Sequence, residues 1–325
     1  MKKLFVSMLA VAALVSCSKE QTVVMPEGEL IGFNSFVENS TRATDPSYSN
    51  KDIAKFNVYG TVNGVLIYNG TEITKGTADY GSAWTCPVDQ YWIADADYKF
   101  VGIVDGNVAN VTKTNLDGNG MPTSVEYTAD GKTDLLCQTI TRKNDTSIVK
   151  FNFSHLLSKV NFTVENTTKN AEGYSFVVKN INFNGATEAT YDVANAKWLT
   201  ASATGKTLVG NERTVDSTTV KDIVVTADNT TTTEVNEATN ELATEVLFIP
   251  GEYTISFTVD ILYNGKPVTT TNYPATGKTY KHTLAANNAY NFKVNVAVGQ
   301  LIEFTVTQKP TWEDGDGADD TTLTL

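Results

Sequence analysis

The chain has 325 residues, of which 41% are hydrophobic. That length suffices for two domains of ordinary size, and that apolar content excludes wholesale disorder. A formal net charge of -12 argues against nucleic acid as a partner, because a phosphate backbone attracts a basic face.

The N-terminus reads as a targeting segment. Lys2 and Lys3 form a short positive region, and Leu4 to Val15 is apolar but too short to span a bilayer comfortably. The run ends Leu14-Val15-Ser16-Cys17, a small residue just before a cysteine, which resembles the bacterial lipobox. It predicts a lipoprotein signal peptide over residues 1–16 and lipid on Cys17, so that the precursor is tethered to the outer membrane. The plainer alternative is an ordinary secretory signal with a chance cysteine.

Residues 18–29 read as a flexible tether. The short apolar stretch "LIGFNSFV" follows, from Leu30 through Ile31, Phe33 and Phe36 to Val37. Beyond it, Val37 to Pro46 is polar and turn-prone and holds a lone Arg42. Taken alone, Arg42 is a solvated loop residue.

After Pro46 the pattern becomes short strands and turns. "AKFNVYGTV", "GVLIYNG" and "TSVEYTAD" alternate apolar with polar residues and favour β-branched and aromatic types. Asn63-Gly64, Asn69-Gly70, Asp105-Gly106, Asp117-Gly118, Asp130-Gly131 and Asn264-Gly265 are pairs that close tight hairpins. Helical periodicity is scarce. The chain is therefore predicted to be all-β, with two tandem antiparallel β-sandwich domains. The boundary is read near Lys150, where "SIVKFNF" starts a fresh strand series, giving an N-terminal domain over 43–150 and a C-terminal domain over 151–325. Thr226 to Thr244 reads as a polar, Thr-rich loop.

Cys86 and Cys137 either pair in an exported protein or remain two buried thiols; geometry decides. At the C-terminus, "LIEFTVTQ" and the final "TTLTL" both alternate, separated by an acidic linker. Glu313, Asp314, Asp316, Asp319 and Asp320 lack the spacing of a calcium loop, so no metal is expected there.

Site chemistry is sparse. The only histidines, His155 and His282, sit in strand contexts and read as structural. No Cys-x-x-Cys and no glycine-rich phosphate loop occurs. The expectation is a non-enzyme without a cofactor. Of Trp84, Trp92, Trp198 and Trp312, Trp92 reads as core and Trp198 is the best candidate for exposure, with core or turn packing the expected role for all four. Asp216-Ser217-Thr218 and Asp320-Thr321-Thr322 carry a very weak O-glycosylation signal.

Several segments in their order resemble the fimbrillin-type (type V) pilins of Bacteroidetes. They are the lipobox with its following strand and arginine, "YWIADADYKFVGIV", "TDLLCQ", "FNFSHLLSKVNFTV", "LFIPGEY", "GKTYKHTL" and "TWEDGDG". The resemblance covers essentially the whole chain. It implies domains of transthyretin-like topology and polymerisation by donor-strand exchange. An Arg-specific protease would cut the precursor between Arg42 and Ala43 and release the strand carrying Leu30, Ile31, Phe33, Phe36 and Val37. A tail over residues 311–325, with Trp312, Leu323 and Leu325, would then enter another subunit. Implied partners are further pilin subunits, with a host protein or glycan as a possible adhesive ligand. A tip subunit of the fibre, or a lipoprotein that stays anchored and captures glycan or protein, is the competing reading.

Overall fold

The computed structural model describes residues 29–37, 53–76, 84–104, 110–143, 148–167, 172–209, 211–215, 218–226, 246–299, 303–309 and 319–324. These residues form strands and turns, with no helix among them. In chain order, the first half supplies β1 (Phe33–Val37), β2 (Lys55–Val62), β3 (Val65–Lys75), β4 (Trp84–Thr85), β5 (Asp97–Val104), β6 (Val111–Leu116), β7 (Pro122–Thr128), β8 (Leu136–Lys143) and β9 (Val149–His155). The middle supplies β10 (Ser158–Asn166), β11 (Tyr174–Asp192), β12 (Lys197–Trp198), β13 (Ala203–Val209), β14 (Asn211–Val215) and β15 (Thr218–Thr226). The last third supplies β16 (Val246–Phe248), β17 (Gly251–Tyr263), β18 (Lys266–Tyr273), β19 (Tyr280–Leu284), β20 (Ala289–Val296), β21 (Glu303–Lys309) and β22 (Asp319–Thr324).

Period-two alternation decides which residues face inward. In β9, Val149, Phe151, Phe153 and His155 are buried, while Lys150 and Asn152 are exposed. In β20, Tyr290, Phe292, Val294 and Val296 are buried between half-exposed polar neighbours. Asn63-Gly64 closes the β2–β3 hairpin with both residues at positive φ, 47° and 79°. That is the type I′ geometry whose twist suits a two-residue connection.

Three sheets result. The first runs β1-β9-β8-β5-β2-β3-β4, the second runs β16-β10-β20-β21-β22, and the third is built on β14-β15-β11-β17-β18. The first core, including Phe33, Phe56, Tyr68, Phe100, Phe151 and Phe153, lies on one face of the first sheet. The second core, including Phe162, Phe183, Phe257, Phe292 and Phe304, fills the space between the second and third sheets.

Two features depart from a pair of separate antiparallel sandwiches. β1–β9 and β10–β20 are parallel pairs, made between strands far apart in sequence, as a parallel pair requires. In addition, β6 and β7 leave the first sheet's sequence neighbourhood, and β7 pairs with the end of β11 from Glu188↔Thr128 to Asp192↔Ser124. A third core forms there. Val101, Ile103 and Cys137 from one face of the first sheet meet Tyr127, Tyr191, Leu156 and Leu157. Trp198, the best candidate for exposure among the four tryptophans, is half-buried against this core. Its Nε1 donates to Leu156 O at 2.7 Å, and its ring meets Tyr127 and Tyr191 edge-on.

β9 pairs with β8 and β1, so the strand beginning near Lys150 belongs to the first sheet. The chain crosses to the second sheet at Leu156 and Leu157. Cys86 packs against the first core and Cys137 lies in the third, and both are free thiols. Burial pushes the Cys137 thiol up to about 12, so it stays neutral.

Candidate functional site

The chain's first described strand occupies one edge of the first sheet. Hydrogen bonds hold the approach to β1: Ile31 N donates to Gln90 O at 2.8 Å, and Trp92 N donates to Glu29 O at 3.0 Å. Leu30 and Tyr91 form an isolated antiparallel bridge. Val149 N then donates to Gly32 O at 2.8 Å. From there β1 runs parallel to β9, with Phe33 opposite Val149, Ser35 opposite Phe151 and Val37 opposite Phe153.

The alternation places Ile31, Phe33 and Ser35 on the core side, exposed by only 3%, 5% and 6%. The Phe33 ring meets Tyr68 edge-on at 5.3 Å and Phe100 at 6.0 Å, and stacks on Phe151 at 6.3 Å. Leu30 is exposed. Of the five apolar residues read from the sequence, the structure therefore places Ile31 and Phe33 in the core and Leu30 outside it. Phe36 and Val37 stand opposite Asn152 and Phe153 in register.

On its free side β1 touches β4. Trp84 Nε1 donates to Asn34 Oδ1 at 3.2 Å, and the same oxygen accepts from Ser35 N at 2.8 Å. β1 thus lies between β9, with which it shares a ladder, and Trp84 of β4. Sequence reasoning missed Asn34, Ser35 and Trp84 in these roles. Counting in twos from Phe33 would have found Ser35; the Asn34–Trp84 contact leaves no such local trace. Trp84→Phe keeps an aromatic ring, though a smaller one, and removes the donor. The expected loss is about 1 kcal/mol in the unfolding free energy of the uncut chain, read by denaturant titration.

The floor beneath β1 is closely packed. Trp92 is buried at 4.6 Å from the Tyr98 ring, with the Arg142 guanidinium 4.9 Å above it. Burial raises the Tyr68 phenol well above its ordinary value, with the neighbouring Cys86 adding to the shift. On the β9 side, His155 Nδ1 lies 2.5 Å from Asp134 Oδ2, both well buried, and ties β9 to the segment before β8. His282 packs between the Tyr290 and Phe292 rings. Both histidines thus sit in packing environments.

The C-terminal strand occupies the edge of a different sheet. β22 pairs antiparallel with β21, placing Leu323 opposite Phe304 and Thr321 opposite Val306. Phe304 is fully buried in the second core. Cys17, Arg42, Ala43, Trp312 and Leu325 lie outside the described residues, as do residues 1–28 and most of 226–244.

Among the described residues, β1 and β22 each lie at a sheet edge, and β1 fills part of the first core. This arrangement offers strand addition: an edge presents unpaired backbone groups and a row of side-chain pockets. Comparison with known proteins places the family and the fold. The family profile described as fimbrillin-like matches residues 41–310. A fimbrial protein from Bacteroides vulgatus superposes with a TM-score of 0.60 at 15% identity, covering 87% of this chain and 99% of that one. A candidate cell adhesion protein from Bacteroides ovatus superposes with a TM-score of 0.50 at 13% identity, covering 90% of this chain and 100% of that one. No curated protein matches the sequence.

Proposed function

The chain belongs to the fimbrillin-like family, and from that premise we propose that it is a structural subunit of a cell-surface fimbria. It is exported as a precursor lipidated at Cys17, cut after Arg42, and joined to its neighbours by exchange of terminal strands. The observation that carries this reading is the burial of Ile31 and Phe33 in the first core by a strand that precedes the cut. Cleavage between Arg42 and Ala43 separates β1 from everything that follows it. What remains is a sheet edge at β9 with two large apolar pockets beneath it. Refilling each pocket contributes about 1.5–3 kcal/mol of apolar burial, with about 0.5–1.5 kcal/mol net for each ladder hydrogen bond.

The donor is the C-terminal ribbon. β22 is an edge strand held on one side, so its hydrogen bonds exchange for those of another subunit's groove at little net cost. The tail over 311–325 is the donor, and β21, whose Phe304 is buried in the second core, stays in place as the last core strand. Other copies of the chain, or related pilin subunits, are the partners, and an Arg-specific protease is the trigger.

The test is digestion of the purified precursor with an Arg-specific protease, followed by N-terminal sequencing and electron microscopy. Wild type should give a chain beginning at Ala43 and filaments. Arg42→Ala should remain at precursor size and form none. Filaments whose subunits begin at lipidated Cys17 would overturn the reading and favour a permanently anchored surface lipoprotein.

A further inference from the structure

β17 runs unbroken for 13 residues, but the strand beside it comes in two pieces. β18 covers Phe257 to Tyr263, and β19 covers Gly251 to Ile255. Ser256 is opposite neither. The connecting segment 274–279 turns away from the sheet, with Lys278 N donating to Ala275 O at 2.9 Å. The interruption leaves a notch of about 290 Å³, near the low end of the range of about 300–1,000 Å³ typical of small-molecule sites.

The notch is lined by both polar and apolar residues. Ser256 and Thr258 contribute hydroxyls, Asn272 an amide, Tyr273 an aromatic ring and Lys278 an ammonium. Thr258 Oγ1 donates to Asn272 Oδ1 at 3.0 Å, which leaves the two Nδ2 protons of Asn272 free to donate elsewhere. The Tyr273 ring stacks on buried Phe257, 5.2 Å between centroids and 16° between planes, so this wall is fixed by the core. Among the described residues, Lys278 is the only charged one lining the notch. Two described carboxylates on the same strand are already committed: Asp260 to Lys179 and to Thr270 Oγ1 at 2.8 Å, and Glu252 to Lys281 at 2.6 Å. Among the described residues Lys278 has no ion pair. An uncompensated cation over a hydroxyl and amide floor is a local exception in a chain of net charge -12.

We propose that this notch binds an acidic saccharide, one or two sugar rings bearing a carboxylate. Lys278 takes the carboxylate, and Asn272 and Ser256, on the outer face of the sheet, take ring hydroxyls. A simple anion uses only Lys278, and a neutral hexose leaves it unpaired; the combination of groups selects a ligand that has both. The site belongs to the third sheet, away from β1 and its groove, so it stands independently of strand exchange.

The full chain is titrated with D-glucuronate, N-acetylneuraminate, D-glucose and acetate, with binding followed by ligand-observed NMR and calorimetry. At least one acidic sugar should bind saturably in the millimolar range or better, with glucose and acetate each about tenfold weaker or more, the scale of one hydrogen bond to a charged group. Lys278→Gln should weaken the acidic sugar by about the same factor and leave glucose unchanged. Asn272→Ala should weaken both sugars. Lys278 and Asn272 are exposed, and an unchanged melting temperature verifies that both variants fold. The proposal is overturned if neither acidic sugar saturates, if acetate or glucose binds as well as they do, or if Lys278→Gln leaves their affinity unchanged.

Discussion

Phe33→Ala in the uncut chain is expected to lower the stability of the first half by about 3–5 kcal/mol, the range for removing a buried phenylalanine ring. The ring has no room to be replaced by relaxation. It is bounded by Tyr68, Phe100 and Phe151, and those rings are themselves fully buried. Denaturant unfolding of the intact chain measures the loss. The same substitution gives a second reading after digestion with an Arg-specific protease. If the leader has left with the cut, the cleaved wild-type and variant chains unfold identically. A persistent difference between them would mean that the strand stays in place without its covalent link, and that the groove is not free to receive another.

Gly185→Ala should cost about 3 kcal/mol or more, at the upper end of what overpacking one methyl group costs. A Cβ on Gly185 would lie 2.4 Å from Tyr253 Cδ1 and 2.6 Å from Cε1. The ring cannot retreat. It is 1% exposed, it meets Phe248 edge-on at 5.2 Å, and its hydroxyl lies between the carbonyl oxygens of Ile249, at 2.8 Å, and Ala186, at 2.9 Å. Moving it would leave those carbonyls short of a donor as well. The measurement is denaturant unfolding, with Gly118→Ala as the control. Nothing lies within 4 Å of a Cβ at Gly118, so that change should be nearly silent.

Local patterns in the sequence were legible because they have local causes. Alternation identified the strands, and Asn63-Gly64 and Asn264-Gly265 marked two hairpins whose φ values are indeed positive. Asn69-Gly70 looks the same on paper, yet it sits inside β3 at a register shift. There the partner strand, not the dipeptide, decides the geometry. The leader's apolar residues were visible, but the period of two says only which face they share. It does not name β9 as the partner or fix a parallel direction. The break placed near Lys150 marks a real restart of alternation, at β9. Whether that strand completes the earlier sheet or begins the next is settled by long-range pairing, with His155 tied to Asp134 and β1 laid alongside. That Trp198 packs was expected, but its partners were illegible for a related reason. Its neighbours Lys197 and Leu199 are exposed, and the tyrosines that receive it come from β7 and β11.

The β7–β11 ladder has a mechanical meaning. The polypeptide passes from the first sheet to the second only at Leu156 and Leu157, a link that would act as a hinge if it stood alone. β7 grips the end of a 19-residue strand through five register pairs, and the third core seals the seam between them. A pull applied to opposite ends of the molecule is therefore shared between a covalent link and a zipper of backbone bonds backed by packed rings. The body resists stretching as one stiff block, and compliance is pushed outward to its terminal strands.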